Sequence, residues 1–243
     1  MKLRFPTEIL FCVTISGATI KDANKWSQYI EDQIRGDRSK SEISMHIKAE
    51  TWDRTLEIRA DVEGDDKALV FIDAPAKEKG IGTLRLQNNM WNWFPKLKRK
   101  VIVSPSMLLS AWMGSDFTND DLLKASNMSK DYQHAFTGEE GEYQVITNTA
   151  KSDAKVMWPK VVTLASKKDC MPYFHRYYDK QGKLVRVMGL SKYGVTEGHN
   201  VPMQMEMIPQ DGKGKKTVMT YKSIKFKTNF AANHFSMQNL TEE

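Results

Sequence analysis

Residues 42–50 read Glu-Ile-Ser-Met-His-Ile-Lys-Ala-Glu, and residues 56–62 read Leu-Glu-Ile-Arg-Ala-Asp-Val. In both, every second side chain is apolar. Successive side chains of an extended chain point to opposite faces, so each segment is expected to be a strand with one dry face and one wet face. Glu63-Gly64-Asp65 follows directly and has the composition of a hairpin turn. An antiparallel sheet solvated on one side is the architecture that such strands build.

Working outward, further strands are expected at Ala68 to Ile72, Thr83 to Gln87, Met90 to Val103 (interrupted by Pro95), Tyr143 to Thr149 and Val161 to Ser166. The series continues with Tyr173 to Tyr178, Leu184 to Leu190, Val201 to Ile208 and Lys216 to Phe226. Asp179-Lys180-Gln181-Gly182 and Asp211-Gly212 with Gly214 supply more hairpin turns. About ten sequential hairpin strands imply a mainly β meander and exclude a βαβ fold.

Two segments break the alternation. Asp22 can cap a helix whose apolar residues Ala23, Trp26, Ile30 and Ile34 recur at helical spacing, with Gly36 as its stop. The second is an insert from Ser104 to Ser129. There Met107, Leu108, Ala111 and Trp112 share a helical face, and Thr118 with Asp121 forms a capping-box pattern ahead of Leu122 and Leu123.

The chain has 243 residues, with 36 Lys and Arg against 30 Asp and Glu, so its net charge is +6. That mild excess, mixed along most of the chain, argues against a nucleic-acid-binding protein. Residues 1–18 have the order of a signal peptide: Lys2 and Arg4, an apolar run from Ile9 to Ile15, then Ser16, Gly17 and Ala18. A mature start near Ala18 or Ala23 and a single domain over 19–243 follow. Cys12 comes after Phe11, where lipoprotein processing needs a small residue, so the chain is not expected to be lipidated. Once the leader is gone Cys170 is alone and no internal disulfide can form.

No catalytic, metal or cofactor motif stands out, so an enzyme is not expected. His46, His134, His175, His199 and His234 lack metal-ligand spacing. Gly212 to Thr217 lacks the spacing of a phosphate loop and reads as a hairpin. Asp116, Asn119, Asp120 and Asp121 lack the glycine and glutamate of a calcium loop and read as helix caps. There is no Gly-x-Ser-x-Gly elbow. Lys96, Lys98, Arg99 and Lys100 form the densest basic run, which could touch phosphate or lipid head groups or simply be a solvated strand face. In a continuous strand Trp91, Trp93, Leu97, Arg99, Val101 and Val103 share one side, which would place Arg99 on the dry face, where a charge needs a partner such as Asp116.

The apolar residues are more informative. Met203, Met205 and Met207 line one strand face, and methionine is flexible and polarizable enough to pack against variable ligands. Met107, Leu108, Trp112, Met113 and Phe117 place large apolar groups on the irregular insert, where they need cover.

Several of these residues also carry a resemblance. Trp91 to Pro95, Arg99, Ser106, Trp112-Met113-Gly114-Ser115-Asp116-Phe117 and Asp121-Leu122 resemble the outer-membrane lipoprotein-sorting protein family, related to the periplasmic carrier LolA. The likeness continues through Trp158-Pro159, Pro172, Tyr178-Asp179, Gly182-Lys183, Val201-Pro202, Lys216-Thr217, Phe235-Ser236 and Leu240. It implies an open, strongly curved antiparallel half-barrel with short helices covering the concave face. It also implies a periplasmic carrier of lipoprotein acyl chains or another lipid, one that can work with an inner-membrane transporter. The alternative is a protein-interaction accessory subunit of an envelope lipid transporter. The expected cavity and lid residues are Trp91, Trp93, Leu97, Arg99, Met107, Leu108, Trp112, Met113, Phe117, Met203, Met205 and Met207. Whether the insert over 104–123 is a mobile lid or a fixed plug stays open at this point.

Overall fold

The computed structural model describes residues 22–34, 36–108, 110–119, 121, 128–154 and 156–242; the leader over 1–18 and the residues after Asp121 in the capping pattern, Leu122 and Leu123, lie outside them. The chain forms strands β1 (Arg38–Lys48), β2 (Asp53–Glu63), β3 (Lys67–Ala74), β4 (Gly82–Leu86), β5 (Asn89–Phe94), β6 (Arg99–Ile102) and β7 (Tyr132–Glu140). These are followed by β8 (Tyr143–Ala150), β9 (Lys160–Ser166), β10 (Pro172–Tyr178), β11 (Leu184–Thr196), β12 (His199–Pro209) and β13 (Lys216–Phe226). Helices are few: α1 (Ala23–Ile34), α2 (Met128–Asp131) and α3 (Met237–Thr241).

All thirteen strands belong to one antiparallel sheet, in the order β6-β5-β4-β3-β2-β1-β13-β12-β11-β10-β9-β8-β7. It is not closed, because β6 and β7 are its two edges. The order has a simple logic. From β1 the chain meanders to one edge at β6, crosses to the far edge at β7, and meanders back until β13 pairs with β1 in the register Met45↔Met219 and Ile47↔Thr217.

The insert between β6 and β7 therefore has to travel from edge to edge. On a flat sheet twelve strand spacings of ~4.8 Å would separate the edges by about 58 Å, so the shortest route lies across one face. Trp112 in the insert reaches Thr83 on β4, while Asp121 reaches Arg186 on β11. Flat, those two strands would be about 29 Å apart. The segment between them is folded back on itself by the bridge Ala111↔Thr118, so the sheet bends around it.

That covered face carries the main core. Ile43, Met45 and Ile47 of β1, Leu56 and Ile58 of β2, Ile72, Met90 and Met207 are buried there with Trp112 and Phe117 of the insert. α1 covers the β7–β12 side of the same face, packing Trp26 and Ile30 against Ile146, Ala165 and Met171. Asp22 caps α1 by accepting the Asn24 N–H at 2.8 Å. On the opposite face α3 seals a smaller core, with Leu240 against Leu69, Phe71 and Leu84.

The segment 90–103 is not the continuous strand that alternation suggests. Pro95 fixes φ and has no N–H to give a ladder, so Pro95–Leu97 forms a 3-10 turn, closed by Lys98 with φ of 47° and its N–H on the Pro95 carbonyl. The result is a β5–β6 hairpin, with Trp91 opposite Ile102 and Trp93 opposite Lys100.

Strand β7 carried no alternation of apolar and polar residues, because its inward positions include His134. Tyr132 is buried and Phe136 packs against the core under α1, while His134 is held by hydrogen bonds described below.

Candidate functional site

The covered face holds a methionine patch assembled from four adjacent strands. Met45 on β1, Met219 on β13 and Met205 on β12 lie directly opposite one another across the ladders. Met207 on β12 faces Met188 on β11. Met45 and Met207 are buried, and Met188, Met205 and Met219 are partly buried against the same core. Unbranched thioether side chains can change rotamer at little cost, so the patch is the most deformable part of the face.

The insert sits over this patch and is fastened by polar contacts at four strands. Trp112 is buried, and its indole N–H donates to Thr83 Oγ1 at 3.2 Å. The Thr83 hydroxyl in turn donates to Asn92 Oδ1 at 2.8 Å. Arg54 on β2 donates to the Met113 carbonyl and forms an ion pair with Glu78 at 3.0 Å. Met113 (φ 49°) and Gly114 (φ 75°) both take left-handed backbone, which turns Asp116 toward β13. There the Thr217 hydroxyl accepts the Asp116 N–H at 2.9 Å and donates to Asp116 Oδ2 at 2.6 Å. Lys215 completes the contact at 3.1 Å from the same carboxylate.

The fourth attachment is more desolvated than the ion pairs of Arg54 and Lys215. Arg186 on β11 is only 4% exposed. Its guanidinium donates to both carboxylate oxygens of Asp121, with Nη1 to Oδ2 at 2.7 Å. The rings of Trp158 and Tyr177 each lie 4.5 Å from the guanidinium carbon. Thr118 and Asp121 also make the expected capping contacts: the Thr118 N–H donates to Asp121 Oδ2 at 2.7 Å, and the Asp121 N–H to Thr118 Oγ1 at 3.2 Å.

Toward the α1 side, a chain of hydrogen bonds crosses β7 to β10. His134 Nδ1 lies 2.6 Å from Asn148 Oδ1, and Asn148 Nδ2 donates to Thr163 Oγ1 at 2.8 Å. Thr163 Oγ1 lies 2.9 Å from His175 Nδ1. Asn148 uses one acceptor lone pair of that oxygen, and with His175 neutral the threonine hydroxyl can give its own proton to a bare Nδ1. Burial agrees, pushing the His175 imidazole down to about 4. It also lowers His134 and raises the Tyr177 and Tyr193 phenols. His175 and Tyr177 nonetheless keep some solvent contact. Tyr177 packs against the main core, and its ring lies 6.3 Å from that of His175.

The structure brings together Leu108, Trp112, Met113, Phe117, Met205 and Met207 on the covered face. Met203 is half-buried and lies against Gly194. Five expected cavity residues are elsewhere. Trp91 and Trp93 point to the opposite face and pack in the small core under α3, because Met90 and Asn92 take the inward positions of β5. Leu97, at the hairpin tip, is 67% exposed. Arg99 is exposed on the edge strand, and Met107 is exposed on its 3-10 turn. The anticipated Arg99–Asp116 latch is therefore replaced: Lys215 and Thr217 hold Asp116, and Arg186 holds Asp121. An arginine at an inward position of the apolar run Leu184–Met188 was the sequence signal for that partner. Met45, Met188 and Met219 gave none, since only the register of separate strands unites them. Asp116 and Asp121 are more than caps, because each also ties the insert to the sheet.

Among the described residues no group of three His, Cys, Asp or Glu is placed to hold a metal ion. No helix among them is long and apolar enough to cross a membrane.

This sheet, open at both edges and covered on one face by the insert, has counterparts among solved structures. It is shared with a LolA superfamily protein from Nitrosomonas europaea at 19% identity and a TM-score of 0.77, over 90% of this chain and 99% of that one. A domain named as an outer membrane lipoprotein-sorting protein, from Vibrio parahaemolyticus, superposes at 23% identity and a TM-score of 0.77, over 90% and 97%. A DUF1329 family protein from Desulfovibrio piger gives 20% identity and a TM-score of 0.82, also over 90% and 97%. The sequence profile of a family described as "-like: Uncharacterized protein" matches residues 64–242, and the chain belongs to that family. No curated protein matches it.

Proposed function

We propose that the protein is a non-enzymatic carrier of the cell envelope that holds lipoprotein acyl chains or another lipid on its methionine-lined face and helps sort that cargo toward the outer membrane. One observation carries the reading: the large apolar face of an open sheet is covered by a chain segment and a helix, with no second sheet over it among the described residues. Such a cover can be exchanged for a ligand without breaking any β ladder. The names borne by the similar structures from Vibrio parahaemolyticus and Nitrosomonas europaea support it, and the order of residues 1–18 supports export to the periplasm.

The energetics allow exchange. A sixteen-carbon chain gains on the order of 13 kcal/mol gross when buried, at ~0.8 kcal/mol per methylene. Separating the buried Arg186–Asp121 pair costs about 3–5 kcal/mol, and re-exposing Trp112 and Phe117 about 2–3 kcal/mol each. Release of the Arg54, Asp116 and Thr83 contacts adds to these costs, so the acyl term is of the same order as the whole cover.

Organic-solvent extraction of the purified protein followed by mass spectrometry tests the proposal, together with displacement of a fluorescent fatty acid. Copurified lipid and displaceable probe are expected, with probe binding abolished by Met205→Lys or Met219→Lys in a protein that still folds. A folded protein that yields no lipid and binds no probe would instead favour an interaction subunit of an envelope transporter, with an inner-membrane transporter as its partner.

A further inference from the structure

The charge of this protein is unevenly placed. Residues 79–115 hold six basic residues, Lys79, Arg85, Lys96, Lys98, Arg99 and Lys100, and no Asp or Glu. The remainder of the chain therefore has 30 basic and 30 acidic residues, and the whole excess of +6 belongs to this one segment. Four of the six cations are consecutive or nearly so on the β5–β6 hairpin, and all four are exposed.

The same hairpin also exposes apolar side chains. Leu97 at its tip is 67% exposed and Ile102 on β6 is 57% exposed. Ile102 lies across from Trp91, Lys100 from Trp93, and Arg99 from Phe94. The three aromatic residues are half-buried. Cations on an edge strand do guard against edge-to-edge pairing. That role needs only one or two charges and gives no reason to expose Leu97 and Ile102 beside them.

We infer that the β5–β6 hairpin docks reversibly on an anionic lipid surface, with Leu97 and Ile102 entering the headgroup region and Lys96, Lys98, Arg99 and Lys100 lying among lipid phosphates. Exposed aliphatic groups flanked by cations and aromatic rings match the chemistry of a membrane interface, where ammonium and guanidinium groups stay at phosphate level while their stems and neighbours enter the apolar layer. A wholly electrostatic partner, such as a nucleic acid or an acidic protein, would engage the cations and leave Leu97 in water. Each cation near an anionic surface contributes about fivefold in partitioning (~1 kcal/mol), which gives contact that is strong enough to dock and weak enough to release.

Cosedimentation of the full chain with vesicles of phosphatidylcholine, alone or mixed with phosphatidylglycerol, tests this. Binding is expected only to the mixed vesicles, and raised salt should weaken it. Lys98→Gln with Lys100→Gln should lower the partition coefficient about 25-fold. Leu97→Ser should lower it about tenfold while leaving heparin binding and the melting temperature unchanged, since its side chain is in solvent. Equal binding to both vesicle types, or vesicle binding indifferent to Leu97→Ser, would overturn the inference. The second result would point to a soluble polyanion as partner.

Discussion

The Asp121→Asn substitution asks how firmly the insert is held. It keeps the shape of the side chain and one oxygen for the Thr118 cap, but removes the charge that faces Arg186. Arg186 then remains 4% exposed, between two rings and with a neutral partner. Taking one member from a buried ion pair costs about 3–5 kcal/mol, because the other charge stays desolvated. Cation–π contact with Trp158 and Tyr177 offsets part of that, so a loss of about 3 kcal/mol is expected. For a chain of this size it corresponds to about 6–12 °C in melting temperature. Arg186→Met in the same background removes the stranded charge and should restore most of the loss. Urea unfolding of the wild type, the two single variants and the double variant measures the coupling directly. If Asp121→Asn costs under ~1 kcal/mol, or Arg186→Met fails to rescue it, the pair does not secure the insert. The same variant separates lid from plug. A lid predicts that loosening this attachment raises affinity for a fatty-acid probe, and that hydrogen exchange quickens over Met107 to Phe117. A plug predicts lost stability with exchange and affinity unchanged.

Other expectations are equally direct. Trp112→Ala should cost about 3–5 kcal/mol, since it empties a buried aromatic site and leaves the Thr83 hydroxyl contact unmade; denaturant midpoints check it. Gly82→Ala would bring a Cβ within 2.8 Å of both Leu240 and Phe71, so α3 should be displaced at a cost of about 1–3 kcal/mol, visible as faster proteolysis at the C-terminus. The neutral His175 gives a pH signature. Its folded value of about 4 lies below the ordinary imidazole value, so the unfolded chain binds the proton first. Stability is full above the unfolded pKa near 6.5 and falls as pH drops from there toward 4. Partial solvent contact reduces the effect to the order of 2 kcal/mol. His134 works in the same direction. Replacing His175 with Gln should flatten much of the slope in melting temperature between those pH values.

The sequence alone determined most of the strands, because period-two alternation reports burial of one face and needs no knowledge of the partner; β7 and the division of 90–103 into β5 and β6 escaped it. It also placed α1, the hairpins at Gly64, Gly182 and Gly212, and the insert, since each rests on short-range turn and capping chemistry. Trp112, Phe117, Met205 and Met207 were legible as residues needing apolar cover. The tertiary structure decided everything that depends on register between distant strands. Only the pairing of β1 with β13 and of β13 with β12 unites Met45, Met219 and Met205. Only the edge-to-edge crossing brings Asp121 to Arg186 and Asp116 to Lys215. The turn at Pro95 reversed the chain where alternation read one strand. That single event moved Leu97 and Arg99 into solvent, while the register of β5 with β4 put Trp91 and Trp93 on the face opposite the methionines. Alternation distinguishes two faces of a strand, but which face becomes the inside of a bent sheet is set by the segments that cross it.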